Sequence, residues 1–540
     1  MVSLADENLP MPDAPRPRRF GGAVAVGAGI LLSRLAGLVR ERTIAHYLGL
    51  SDAKGDYTAA LRIPNLLQNL LGEGVMSASF IPVYARLMAE GKREEASLVA
   101  RTVGTLLALV AALLSVIGVI AAGPLVELIA PGFKSRELTV AMVQILFPGT
   151  ALLVMSAWCL GVLNSHRKFF LSYAAPVLWN TAIIAAAIVA GRHLAGHDDD
   201  IAIWLAWGTV IGSGAQFVVQ LPTVLALLRS GRPALALRDP GTRQTLRAFV
   251  PVLLGRGSYQ LSGYIDQVLS SFLGKSIVGA IFNAQTLYTL PVSLFGMAIS
   301  ASELPEMSST TGDEAARAAH LQTRLAAGLR RVVFLVVPSA VAFVAIGGPI
   351  VALLYQGGRF TEADTNIVWI ILSGTAIGLS AGTQSRLLGS AFYALGDTRT
   401  PLYAGLVRLV LTAGLGYALV LPMRAAFGYA PVWGAFGLTA SAGFAAWIEF
   451  VLLQRWLDRR IGHVAIPVKL GFGALAAATV AGAAGFGAHR LVHAVVHRTL
   501  PGSVAAIAAF GAVYLGIMAI AKVPEADDLV GKVTRRFRRR

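Results

Sequence analysis

Residues 30–49, ILLSRLAGLVRERTIAHYLG, decide how the rest of the chain is read. The stretch has the apolar content of a membrane helix, yet it carries Arg34, Arg40, Glu41 and Arg42. A charge at the bilayer centre costs at least about 2.5–3.5 kcal/mol on insertion scales, so such side chains turn toward a wet interior or a partner. Several in one helix imply an interior inside the membrane, and that interior is where function is to be sought.

The whole chain agrees. Its 540 residues are 55% hydrophobic and only 14% charged, with a mean hydropathy of +0.65, whereas soluble domains carry about 25% charged residues. The expectation is an all-α polytopic membrane protein. With about 20 apolar residues needed per span, roughly fourteen spans can be counted. Cys159, the single cysteine, sits in an apolar run and reads as a small core residue.

The formal net charge of +17 is not spread evenly. Lys92, Arg93, Arg167, Lys168, Arg229, Arg232, Arg459, Arg460 and the terminal RRFRRR fall in alternate connections, while the acidic run Asp198-Asp199-Asp200 falls in the other set. Lys/Arg bias marks cytoplasmic loops, so both termini are expected in the cytoplasm. The positive charge is thereby accounted for without a nucleic-acid partner. Residues 1–19, polar and proline-rich, read as a disordered cytoplasmic segment, since no short apolar core with a cleavage site follows them. Residues 522–540 read as a basic cytoplasmic tail.

Comparison of the two halves exposes a repeat. SASFIP at 77–82 returns as SASELP at 300–305, PLVELIAPGF at 124–133 as PIVALLYQGGRF at 349–360, and YLG at 47–49 as FLG at 272–274. The three pairs keep their order at offsets of 223 to 225 residues. An even number of helices lies within that offset, so the copies share one orientation and are related by an axis along the membrane normal. The organisation expected is two six-helix lobes, 20–230 and 245–457, followed by two further helices over 467–521. Transporters built this way place their substrate between the lobes and expose it alternately by rocking.

The second segment contains RIPNLLQNLLGEG. Pro64 is expected to end or kink the helix, and Gly72 and Gly74 to loosen it around Glu73, as a flexible gate or as a short interfacial loop. Arg34 and Glu41, seven apart, share a helix face, whereas Arg40 need not face with Arg34. Arg34 and Arg40 line a cavity or form structural ion pairs, and both readings satisfy the cost argument. In the second lobe Arg256 lies deep in LLGRGSYQLSGY, with Asp266 on approximately the same face as a counter-ion or as a proton or cation site. No Walker sequence and no HExxH spacing occurs, so neither ATP hydrolysis nor metal catalysis is expected.

SRLAGLVRERTIAHYLG, GDYTAALRIPNLLQNLLGEGVMSASFIPVYARL, APGF at 130–133, LNSHRKFFLSYAAPVLWN at 163–180, LYQGGRFT at 354–361 and FYALGDTRTPL at 392–402 together resemble the MurJ (MviN) lipid II flippases. The likeness runs over nearly the whole chain. It implies the multidrug/oligosaccharidyl-lipid/polysaccharide exporter fold and a cationic cavity for the diphosphate-sugar head group of lipid II. It further implies the bacterial inner membrane, no enzymatic activity, no cofactor or metal, and contacts with membrane lipids and cell-wall synthesis proteins. Carried over residue by residue, its substrate-binding cations fall on Arg34, Arg40, Arg62 and Arg386, and its acidic positions on Asp56 and Glu73. The last two helices would supply a lipid-facing groove for the lipid tail.

Three positions depart from the family pattern: Gln68 stands where an arginine is usual, and Thr286 and Thr289 where an arginine and a glutamate are. Arg256 is read as restoring a charge, with Asp266 in a gating or ion-pair role. The departures leave a second substrate open, another polyprenyl-diphosphate glycan or a polysaccharide. A drug or cation antiporter of the same superfold would want an acidic cavity, against the arginines here.

Overall fold

The computed structural model describes residues 20–527, apart from 230–231, 298, 301–302, 304–305, 308–313 and 497–498. The side chains of residues 20–28, 30, 73, 250, 254–262 and 314 are also outside the description. The described chain is all-helical, and 11 helices are long and apolar enough to cross a membrane. In hydrocarbon every backbone N–H and C=O must be paired internally, which long helices achieve within one segment.

The first half comprises α1 (Phe20–Leu48), an interrupted second span of α2 (Asp52–Ala60), α3 (Arg62–Leu71), α4 (Glu73–Val75) and α5 (Ile81–Ala89), then α6 (Arg93–Ile120), short α7 (Ala122–Ile129), α8 (Glu137–Ser165), α9 (Phe169–His193) and α10 (Asp198–Leu228). The second half comprises α11 (Pro240–Ser271), α12 (Lys275–Pro291), α13 (Glu314–Ala345), short α14 (Gly347–Tyr355), α15 (Glu362–Ala394), α16 (Arg399–Val420), short α17 (Pro422–Phe427) and α18 (Pro431–Ile461). Helices α19 (Val468–Val496) and α20 (Thr499–Ile520) complete the chain.

The halves pack in the same order. In the first, α9 lies against α1 and α10, and α8 against α6 and α10; in the second, α16 lies against α11 and α18, and α15 against α13 and α18. The short helices α7 and α14 occupy equivalent places and lead to Phe133 and Phe360, both buried. Helices α19 and α20 pack on each other and on α13 and α14 through a core of Phe334, Ala478, Phe510 and Tyr514. Cys159 is buried in the first half.

The second span is interrupted at Leu61, three residues before Pro64, and again at Gly72. Pro64 sits in the first turn of α3, where its missing N–H removes no helical bond. The second break falls at Gly72 (φ −88°, ψ −146°), where an added Cβ would strike the carbonyl oxygen of Gln68. A turn of π-helix over Met76–Phe80 follows.

Candidate functional site

The alternating spans put the two described ends of the chain on one face of the bundle, here the terminal face. At the other face the halves are locked together by a reciprocal arrangement. The loop after α7 brings Gly132 onto the end of α11: its N–H donates to Ser271 Oγ at 3.0 Å, and a Cβ would lie 2.5 Å from the Phe272 backbone. The loop after α14 brings Gly358 onto the end of α1, where a Cβ would strike the His46 carbonyl oxygen, and the next N–H, that of Arg359, donates to that oxygen at 2.8 Å. The repeat offset that relates Gly132 to the 357–358 pair also relates His46 to Ser271. Each half therefore latches onto the first helix of the other at equivalent places, through a side-chain hydroxyl in one case and a backbone carbonyl in the other. Gly358 additionally has φ +59°, a conformation that excludes a Cβ at ordinary cost.

The cations that join the halves at this face each have a partner. Arg42 donates to the carbonyls of Leu353 and Leu354 at 2.7 and 3.2 Å, at the C-terminal end of α14 where the helix dipole favours positive charge. Lys54, 1% exposed, donates to Asn283 Oδ1 at 2.8 Å. Lys275 pairs with Asp56 at 2.8 Å, and Thr139 donates to the same carboxylate. Arg359 pairs with Asp198. Arg40, one turn further in, has both edges occupied: Glu41 at 2.7 and 3.0 Å, Asn180 Oδ1 at 3.0 Å, and the Trp179 ring 4.8 Å from its guanidinium carbon.

Beneath the seam the pattern changes. Arg62, at the start of α3 and roughly 15 Å along the span from Ser51 at a helical rise of 1.5 Å per residue, reaches across to the second half. It donates through Nε to Gln267 Oε1 at 3.3 Å and through Nη2 to Gln285 Oε1 at 3.2 Å, while its carbonyl accepts from Tyr264 at 2.7 Å. It forms no ion pair with any described residue. Asp266 lies beside Gln267 with Oδ1 buried and without a hydrogen bond among the described residues. Arg34, deeper in α1, is exposed and bonds to no described residue, and Arg386 on α15 is exposed as well.

Sequence reading and geometry meet at several of these positions. Arg34 and Arg40 lie on α1 and Arg62 on α3, helices that touch α14 and α11 of the second half, but Arg40 is tied to a carboxylate while Arg34 and Arg62 are not. Asp56 is an inter-half ion-pair residue. The side chains of Glu73 and Arg256 lie outside the described residues. Thr286 and Thr289 spend their hydroxyls on the backbone carbonyls of Phe282 and Gln285. Gln267 and Gln285 were missed, because a glutamine in an apolar helix carries no charge cost and so raises no flag. Asp397 of the GDT motif caps α16: Thr400, first by its side chain and then by its backbone N–H, holds the carboxyl below the usual range, and Arg460 pairs with it at 2.7 Å. On the outer wall, an apolar groove of about 460 Å³ runs between α19 and α20, lined by Leu470, Ala477, Val480, Ile517 and Val523 with Lys469 at its edge.

Comparison with known proteins accords with this architecture. The family profile described as "Lipid II flippase MurJ" matches residues 44–505. A Burkholderia cenocepacia protein named Lipid II flippase MurJ is 33% identical over 450 residues, covering 82% of this chain and 84% of that one. Among solved structures, "Lipid II flippase MurJ, inward closed conformation" superposes with a TM-score of 0.74 at 20% identity, covering 94% of this chain and 100% of the other. An inward-facing multidrug-resistance MATE transporter of the MOP superfamily follows at a TM-score of 0.64 and 17% identity, covering 82% of this chain and 98% of its own. The chain is a multi-pass membrane protein of the MurJ lipid II flippase family.

Proposed function

We propose that this protein moves lipid II from the cytoplasmic to the outer leaflet of the bacterial inner membrane by alternating access. The observation that carries the reading is the contrast between matched cations in the seam and the unmatched Arg62 and Arg34 beneath it. Guanidinium groups with no carboxylate in direct contact keep a positive field, and their planar fork fits the oxygens of a diphosphate. Arg386 and Arg256 are further substrate-binding cations of the second half, and Arg40 keeps α1 in register for Arg34. Asp56, Glu73 and Asp266 act in gating or in ion pairs. The Lys/Arg distribution puts the terminal face in the cytoplasm, so the latched seam closes the outer side and the cleft receives its ligand from within. The diphosphate and sugars cross between the halves while the polyprenyl tail stays outside, with the α19–α20 groove as its seat.

The neutral side chains at Gln68, Thr286 and Thr289 favour one second reading, a different polyprenyl-diphosphate glycan taken by the same cations. No chemical step is required of the chain in either case. Complementation tests the assignment. A bacterium depleted of its own flippase and expressing this chain is expected to grow and to expose lipid II on the outer face. Membrane-inserted protein with no exposed lipid II rejects it.

A further inference from the structure

Arginine has only donors, so each glutamine that meets Arg62 is forced to present its oxygen. That orientation fixes what the rest of the two amides can do. For Gln267, 2% exposed, the Nε2 group is left buried with no hydrogen-bond partner among the described residues. An orphaned buried amide donor costs about 1–3 kcal/mol, and here it sits on the side chain that steadies the guanidinium. Asp266 precedes Gln267 in α11 and acts on Arg62 through space, but it neither bonds to the guanidinium nor forms a close ion pair with it.

We propose that Gln267 and Gln285 are positioning residues of an anion site centred on Arg62, built to aim the guanidinium without neutralising it. The ligand is a phosphate oxygen of a polyprenyl diphosphate; the inference rests on Arg62 as a diphosphate contact and deepens that reading. A glutamate in either place would hold Arg62 at least as firmly, since charge-assisted bonds are roughly twice as strong as neutral ones, but it would cancel the charge. At 267 it would also replace the free donor by an acceptor facing the phosphate. The amide is thus the side chain that supplies geometry and leaves the field. The bonds run from α3 to α11 and α12, so the same pair also sets Arg62 by the position of the second half relative to the first.

The sign of the effect separates this role from a structural one. The full-length protein in lipid nanodiscs is titrated with undecaprenyl diphosphate and, separately, with lipid II, and its thermal stability is measured. Gln267→Glu and Gln285→Glu are expected to melt no lower than wild type while losing at least about tenfold in affinity for both lipids, the change equivalent to about 1.4 kcal/mol. Gln285→Ala is expected to lose about two- to fivefold, half a hydrogen-bonded clamp by the usual worth of such bonds. Glutamate variants that bind both lipids as wild type does overturn the proposal, as does a loss of affinity that merely follows a loss of stability. Wild-type protein that binds undecaprenyl diphosphate but not lipid II overturns the glycan assignment and leaves the site standing. Wild-type protein that binds neither overturns both.

Discussion

The latched seam and the region beneath it use the same residue types to opposite ends. In the seam, Lys275 meets Asp56, Arg359 meets Asp198 and Arg42 meets two helix-end carbonyls; in the region beneath, Arg62 meets two amides and Arg34 meets no described residue. A carboxylate partner fixes a cation and cancels its field. An amide partner fixes it and leaves the field intact, which in a low dielectric is felt over several ångströms. The difference teaches that position along the span, and the charge of the partner, separate an arginine that holds the protein together from one free to hold a ligand.

The sharpest way to break that distinction is to compare Arg34 and Arg40 of α1. Arg40→Ala strands Glu41, 4% exposed, without its cation, and removing one member of a buried pair typically costs about 3–5 kcal/mol. A large fall in melting temperature and in folded yield is expected, largely recovered in Arg40→Ala/Glu41→Gln. Arg34→Ala should leave the melting temperature alone and abolish outward exposure of lipid II. Equal losses of stability in the two single variants would erase the difference between the seam and the region beneath it.

The latch comes next. Gly358→Ala adds a Cβ at φ +59° against the His46 carbonyl, with a conformational cost of about 1–2 kcal/mol before any clash. Gly132→Ala meets backbone at 2.5 Å without the positive φ and should do less. Spin labels at the exposed positions 52 and 362 would report the result as a larger fraction of molecules with the seam apart, Gly358→Ala ahead of Gly132→Ala. Unchanged distance distributions in both would mean that the reciprocal contacts do not hold the face shut. A smaller effect is expected from the Asp56–Lys275 pair, where a double-mutant cycle with alanine should give a coupling energy of about 1–3 kcal/mol and widen the same distribution. Additive single effects would remove this pair from the seam.

What could be read in the sequence follows the same physics. The spans were legible because burying 20 apolar residues in lipid leaves a plain signature, and the repeat because PLVELIAPGF and PIVALLYQGGRF keep their spacing. Arg34, Arg40 and Arg62 were legible as anomalies, since a charge in an apolar helix demands a reason. Which of them is matched was not, because Asn180 and Trp179 lie about 140 residues from Arg40 and the matching is made by packing of α9 on α1. Pro64 and Gly72 were legible as interruptions of the second span, which breaks at Leu61, three residues before the proline, and again at Gly72. Gln267 and Gln285 gave no signal at all.

The smallest effect expected is at the terminal face, and it tests whether burial is the variable that matters. Arg330 grips Glu525 with both nitrogens, at 2.7 and 3.0 Å, tying the segment after α20 to α13. The geometry is as good as that of Arg40 and Glu41, but the Arg330 side chain is 42% exposed against 16% for Arg40. Water and salt screen such a pair, and exposed pairs contribute about 0.2–1 kcal/mol. Arg330→Ala should therefore shift the melting temperature only slightly, less still in high salt, and leave lipid II exposure at the wild-type level. A loss comparable to that of Arg40→Ala would mean that hydrogen-bond geometry alone sets the strength of these pairs. The contrast between the buried pair and its exposed counterpart would then need a different cause.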